Sequence, residues 1–208
     1  MRKACIALLA IAFSIASGAV SVSGQNNPRD AQRLIEALGV TPGMTVAEIG
    51  AGNGELTVLM AKHVGAAGRV FTTEVADEQR QRLRQAASGA GLVNVKVLAA
   101  ADDTTNLPAG CCDAIFMRNV YHHFETPAPI NASLFAALKP GGRVAIIDFP
   151  PRNRNEAAQP EGRSADSSHG VTKETVAKEL EAAGFVRVRV EEPEGGQEGF
   201  LVVMRKPS

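Results

Sequence analysis

The sequence predicts one doubly wound α/β domain with a seven-stranded, mostly parallel sheet whose last strand runs antiparallel. Three observations carry this. Short apolar runs alternate with helix-period segments from residue 30 onward, and a glycine cluster, Gly50-Ala51-Gly52-Asn53-Gly54, stands where the first run passes into a helix. No helical segment separates the last two runs. Strands joined through helices lie parallel, because the crossover returns the chain to the same end of the sheet. Two strands with only a loop between them pair antiparallel.

The elements follow in order. Residues 1–24 differ from the rest: Arg2 and Lys3, an apolar run over 4–16, then Ser17, Gly18, Ala19, Ser21, Ser23 and Gly24. That order is a secretory signal, with cleavage expected near Ala19 or Gly24. A membrane helix needs ~20 apolar residues, and the run reaches that only by including the Ser/Gly part, so an inner-membrane anchor is the second reading. The domain then occupies 25–208 and is expected outside the cytoplasm, or at the membrane through its N-terminal segment.

Asp30 is the expected N-cap of a first helix with Leu34, Ile35 and Leu38 on one face, closed by Gly39. Strands are expected over 44–49, 69–74 and 93–98, with helices over 55–64 and 77–87 between them. A fourth strand over 113–117, a helix over 130–138, a turn at Lys139-Pro140-Gly141-Gly142 and a strand over 143–149 continue the alternation. Residues 150–169 are polar and without apolar period, and a loop of that length is a lid or disordered. Thr172 caps a last helix, Val171 and Val176 staple its start, and Val176, Leu180 and Ala183 face inward up to Gly184. Strands over 185–190 and 199–204, joined by the acidic 191–198 loop, complete the sheet.

Composition excludes some functions. Lys+Arg and Asp+Glu number 22 each, so no field of one sign draws in nucleic acid. Arg80, Arg82 and Arg84 alternate with Gln on a helix and read as a solvated face. Cys5 precedes the apolar run and is misplaced for lipidation. Cys111 and Cys112 are adjacent, where disulfide geometry is hard to meet, and with no third cysteine near them they read as buried small hydrophobes and not as a metal site.

The chemistry concentrates at Glu48-Ile49-Gly50-Ala51-Gly52-Asn53-Gly54-Glu55. A glycine turn at a strand end lets backbone approach a ligand at the carboxyl edge of an open sheet. The dinucleotide spacing G-x-G-x-x-G would need glycine at 55 or 57, where Glu55 and Thr57 stand. Glu48 beside the turn would repel a pyrophosphate and attract a sulfonium or ammonium group. Glu74, ending the second strand, can accept ribose hydroxyl bonds, and Asp102-Asp103, after the third, can accept from an adenine amino group.

Residues 48–54 resemble motif I of the class I S-adenosylmethionine-dependent methyltransferases. The 113–124 segment (Asp113-Ala114-Ile115-Phe116-Met117-Arg118-Asn119-Val120-Tyr121-His122-His123-Phe124) resembles their fourth strand, and residues 137–144 their turn before the fifth. The likeness runs from about Pro28 to the C-terminus and is greatest to the small-molecule branch that includes ubiquinone- and menaquinone-type enzymes. It implies that S-adenosylmethionine is the cofactor and a small molecule the acceptor. It also implies that Glu48, Gly50, Gly52 and Gly54 surround the methionine part, and Glu74 holds the ribose. Asp102, or Asp103, contacts adenine, and Arg118 and Asn119 lie under the methionine moiety. Glu74 departs from the commoner Asp, and Thr104-Thr105-Asn106 leaves the adenine contact free to shift by a residue.

Methyl transfer is an in-line displacement that asks the protein to align the acceptor and exclude water. Where the acceptor must lose a proton, Tyr121, His122 and His123 after the fourth strand are the candidate bases. The plainer alternative is that one His packs while the other caps a turn. His169 is expected at the start of the last helix. The competing function is a module that binds the cofactor without transferring methyl; a nicotinamide dehydrogenase fails on glycine spacing and on Glu48.

Overall fold

The computed structural model describes residues 27–151, 170–192 and 199–208. The N-terminal segment, residues 152–169 of the polar loop with His169, and residues 193–198 lie outside the described residues. Chain order is α1 (Asn27–Leu38), β1 (Thr45–Ile49), α2 (Glu55–Val64), β2 (Arg69–Glu74), α3 (Asp77–Gly89), β3 (Val95–Ala99), β4 (Cys112–Arg118), a 3-10 turn (Tyr121–His123), α4 (Pro127–Ala137), β5 (Leu138–Asp148), α5 (Lys173–Ala182), β6 (Val186–Glu191) and β7 (Phe200–Arg205). The seven strands form one sheet in the order β3-β2-β1-β4-β5-β7-β6. β1 to β5 are parallel, and β7 runs antiparallel to both β5 and β6.

Alternation along the strands fills two cores. Ala114 and Phe116 of β4, Ala145 and Ile147 of β5, and Leu201 and Val203 of β7 face the layer of α1 and α2. The intervening Ile115, Met117, Val144, Ile146, Val202 and Met204 face that of α4 and α5. A strand covered on both faces reads as a continuous apolar run, which is why Cys112–Arg118 is so rich in large hydrophobics. The sheet changes winding direction between β1 and β4, with β2 and β3 to one side and β5 to the other. Ligands of such sheets bind at that point, outside the carboxyl ends of the strands.

Thr172 caps α5 as expected, its hydroxyl accepting from the Thr175 N–H at 3.1 Å. Three expectations are corrected. Asp30 is not an N-cap: α1 already includes Asn27, and Asp30 in its first turn pairs with Arg118. Residues 139–142 are not a turn outside the strand but a bulge within β5. Cys112 opposes Leu138 and Ala114 opposes Arg143, and β7's continuation holds the bulge through backbone bonds between Lys206 and both Gly141 and Gly142. A Cβ on Gly142 would lie 2.9 Å from the Lys139 carbonyl and 3.0 Å from that of Asp113. Cys111 and Cys112 are joined by a disulfide. They stand where the turn before β4 passes into the strand, outside regular pairing on the Cys111 side, and Cys112 is fully buried as anticipated.

Candidate active site

The first crossover is held by its backbone. Gly50 leaves β1 with φ 65, and a Cβ there would lie 2.6 Å from the Val120 side chain, so both conformation and space demand glycine. The N–H groups of Gly50 and Ala51 donate to the Thr73 carbonyl at 3.0 and 3.3 Å. Gly52 N–H donates to Glu74 Oε1 at 2.5 Å, and Asn53 Oδ1 accepts from Glu55 N–H at 3.2 Å as α2 begins. The turn is thereby tied to the end of β2, and its outer edge stays open.

Beside it lies a cavity of about 630 Å³. Gly50, Glu74 and Val75 form one wall, Ala101 and Asp102 a second, and Asn119, His123 and Phe124 a third. The lining includes three carboxylates, Glu74, Asp102 and Glu125, and no Lys or Arg. Thr73 Oγ1, in the same lining, is buried without a hydrogen-bond partner. Of the sequence-predicted residues, Gly50, Glu74, Asp102, Asn119 and His123 meet here; Asp103, Gly52, Gly54, Arg118 and Tyr121 are not on this wall. Asp102 and Asp103 form the tip of a tight turn closed by the Ala101–Thr104 bridge, and only Asp102 faces the cavity.

Glu48 corrects an expectation. It is 3% exposed, absent from the cavity lining, and its Oε2 accepts the Thr57 hydroxyl from the first turn of α2. Burial pushes its pKa up to about 8, the Thr57 bond and the Arg118 charge pull it down, and Glu74 pushes it up. A carboxyl beneath the turn and mostly protonated near neutral pH braces the turn; it is not the open anion expected on the crevice wall. Burial wins because one hydroxyl bond and one nearby cation do not replace the water lost.

The three candidate bases separate. Tyr121 is fully buried, donating to Glu179 Oε2 at 2.9 Å and accepting from Asn131 Nδ2 at 2.7 Å. It anchors the 3-10 turn to α4 and α5 and does not reach the cavity. His122 is also buried; its Nδ1 lies 2.8 Å from Asp148 Oδ1 and its backbone N–H donates to Asp148 Oδ2 at 3.1 Å. Its ring packs between His123, at a centroid distance of 4.0 Å, and Phe149, at 4.6 Å, and its Nε2 is buried without a partner. His123 alone lines the cavity. Burial lowers its pKa, the neighbouring His122 lowers it further, and Asp148 opposes both, so the ring is held neutral and able to accept a proton.

Sequence reasoning missed Asp148 and Val75. Asp148 ends β5 fully buried and accepts three N–H bonds, the third from Phe149 at 2.9 Å; its signal was an acidic residue closing an apolar strand. Val75 is 56% exposed although large and apolar, which on a cavity wall marks a contact surface. Among the described residues, no group of three or more His, Cys, Asp or Glu is arranged to hold a metal.

Residues 47–146 match a family model described as a methyltransferase domain. Over 119 residues, 57% of this chain and 47% of the relative, the sequence is 30% identical to the ubiquinone/menaquinone biosynthesis C-methyltransferase UbiE of Marinomonas sp.. The chain thus spans about half the length of the curated relatives it matches. The crystal structure of a SAM-dependent methyltransferase from Aquifex aeolicus superposes with a TM-score of 0.71 at 30% identity, covering 85% of this chain and 89% of that one. The [4+2]-cyclase SpnF superposes equally well, TM-score 0.71 over 86% of this chain and 81% of its own, at 16% identity; it shares the fold alone.

Proposed function

Because the chain belongs to the class I S-adenosylmethionine-dependent methyltransferases, we propose that it transfers the cofactor's methyl group to a small-molecule acceptor held against His123. The observation that carries this is the acidic cavity at the glycine crossover: three carboxylates and no Lys or Arg suit a cationic nucleoside and repel a pyrophosphate. The cofactor, when bound, supplies a methyl group on a positively charged sulfur. The protein does the rest. The 50–54 turn receives the methionine part, with Asn119 beneath it. Glu74 accepts from the ribose hydroxyls, Asp102 accepts from the adenine amino group, and Val75 and Ala101 offer apolar surface to a purine face. Thr73 Oγ1 gains a partner from the ligand.

On the acceptor side Val120, Phe124 and Ile130 supply apolar lining beside His123. A small ring with one removable proton, a quinol or phenol, fits such a wall. This class also agrees with the ubiquinone and menaquinone in the names of the relatives. His123 takes the acceptor proton, with the tilted His122 ring packed against it and fixed by Asp148.

Calorimetric titration with S-adenosylmethionine and with NAD tests the cofactor half, with binding expected for the former alone. Tight NAD binding would end the reading. Labelled methyl donor offered with quinol, phenol and thiol acceptors tests the other half; binding without transfer across that screen would instead favour a module that only holds the cofactor. We also read residues 1–24 as an export signal or membrane anchor, expecting processed or membrane-bound protein on fractionation; full-length protein free in the cytosol would overturn this.

A further inference from the structure

Asp102 stands in a turn between β3 and β4, outside the paired strands, with its side of the turn on the cavity wall. The turn's own residues give it its shape. The Ala101–Thr104 bridge closes the tip, and Asn106, at φ 54, donates from Nδ2 to the Ala99 carbonyl at 3.0 Å. These bonds are internal, so they leave the distance from Asp102 to the opposite wall unset.

Two side chains of α4 set it. Thr126 is the N-cap residue of α4, a position whose hydroxyl ordinarily accepts from an N–H in the helix's first turn. It makes no such bond; its hydroxyl donates to the Asp102 carbonyl at 3.3 Å. Ser133, two turns along the helix, accepts from the Thr105 N–H at 3.1 Å, and its hydroxyl lies 3.0 Å from Thr105 Oγ1 and 2.9 Å from the Ile130 carbonyl. Thr105 is 2% exposed, so this contact is shielded from water. An N-cap threonine without its cap bond and a serine inside a helix both forgo local helix stability; what each gains is a hold on the Asp102 turn.

We propose that Thr126 and Ser133 are positioning residues that hold Asp102 where its carboxylate selects a base bearing an amino group, adenine, over the 6-oxo counterpart. The inference rests on the cofactor reading above. A carboxylate accepts from an amino group and repels a carbonyl oxygen, so this selectivity depends on where Asp102 stands. One face of α4 then serves both halves of the site, because Ile130, one turn before Ser133, lines the acceptor side.

The test compares two ligands on the full chain by calorimetry. S-adenosylhomocysteine carries the 6-amino group; S-inosylhomocysteine has a carbonyl oxygen there, on the same ribose and tail. Wild type binds the first at least about tenfold more tightly, the weight of a hydrogen bond to a charged group. Ser133→Ala and Thr126→Val each shrink that ratio about threefold, the weight of one neutral hydrogen bond, by weakening the adenosyl ligand alone. Thr126→Ser keeps the hydroxyl and the wild-type ratio. A loosened fold weakens both ligands alike, so an unchanged ratio in the first two variants overturns the proposal. Thr126 is exposed, and its variant covers the case in which Ser133→Ala fails to fold. Asp102→Ala tests the underlying reading separately: a collapsed ratio there upholds the contact with the base whatever the α4 variants do, and a wild-type ratio overturns that contact and the proposal with it.

Discussion

The two segments that frame the cavity are built on opposite principles. The 50–54 turn is a backbone device: its form follows from glycines, from N–H groups on the Thr73 carbonyl and Glu74, and from contacts a few residues away or on the next strand. The 119–126 segment is a side-chain device. Its 3-10 turn is pinned by Tyr121 to Asn131 and Glu179 and by His122 to Asp148, partners 10 to 58 residues distant. A backbone device suits an unchanging cofactor, since no side chain need be specified; a side-chain device can be retuned to a particular acceptor. The two touch where Val120 packs over Gly50.

That contact gives the largest expected effect. Gly50→Ala forces an L-residue into the left-handed region, costing roughly 1–2 kcal/mol, and drives its Cβ into the Val120 methyls. Cofactor affinity by calorimetry is expected to fall about a hundredfold, counting strain and clash together. Gly50→Ala with Val120→Ala should recover part of the loss, because only the clash is relieved. Full recovery would mean the backbone conformation is not needed and would blur the distinction between the two segments.

Asp148→Asn probes the other side. His122 loses the acceptor that sets its ring, while the nucleoside walls are untouched. Methyl transfer is expected to drop by roughly thirtyfold, within the range general acid–base groups supply, at unchanged cofactor affinity. A matching loss of affinity would show that the halves are coupled more tightly than their construction implies.

This difference also explains what the sequence made legible. α2 and β2 were readable to their end residues because apolar period and flanking glycines are local signals, and the glycine turn was identifiable from spacing alone. The acceptor side was not. Tyr121 looks like a free hydroxyl until Asn131 and Glu179 are brought beside it. Asp148 looks like the polar end of a strand until His122 folds over it. Asp30 has the composition of a cap, and only its partner 88 residues away assigns it elsewhere. Glu48 was found as a carboxyl beside the turn, but whether it is charged depends on burial, which neighbouring letters do not report.

A smaller effect separates His123 from its neighbour. Its pKa is depressed below the ordinary 6.5, so kcat/KM should be flat near neutrality and fall only in acid, with a midpoint under that value. His123→Gln is expected to cost about tenfold and to erase the acid limb. If the limb persists, the proton acceptor lies elsewhere. Stability follows the same sign: the unfolded chain binds this proton more readily, so the contribution is present above pH 6.5 and is lost as pH falls.

The smallest expected effect lies under the turn, and its sign is reversed. Glu48 has a folded pKa of about 8 against an ordinary 4.5. Between those values the folded protein holds the proton more tightly, so the stabilisation is whole below pH 4.5 and is lost as pH rises through about 8. Thr57→Val removes the hydroxyl that favours the carboxylate, costing about 1 kcal/mol and moving the alkaline loss to still higher pH. Thermal denaturation of wild type, Thr57→Val and Glu48→Gln across this range tests it: the dependence should be displaced in the second and absent in the third. A Glu48→Gln curve that falls as steeply as wild type would place the titrating group elsewhere and leave the turn resting on its backbone bonds alone.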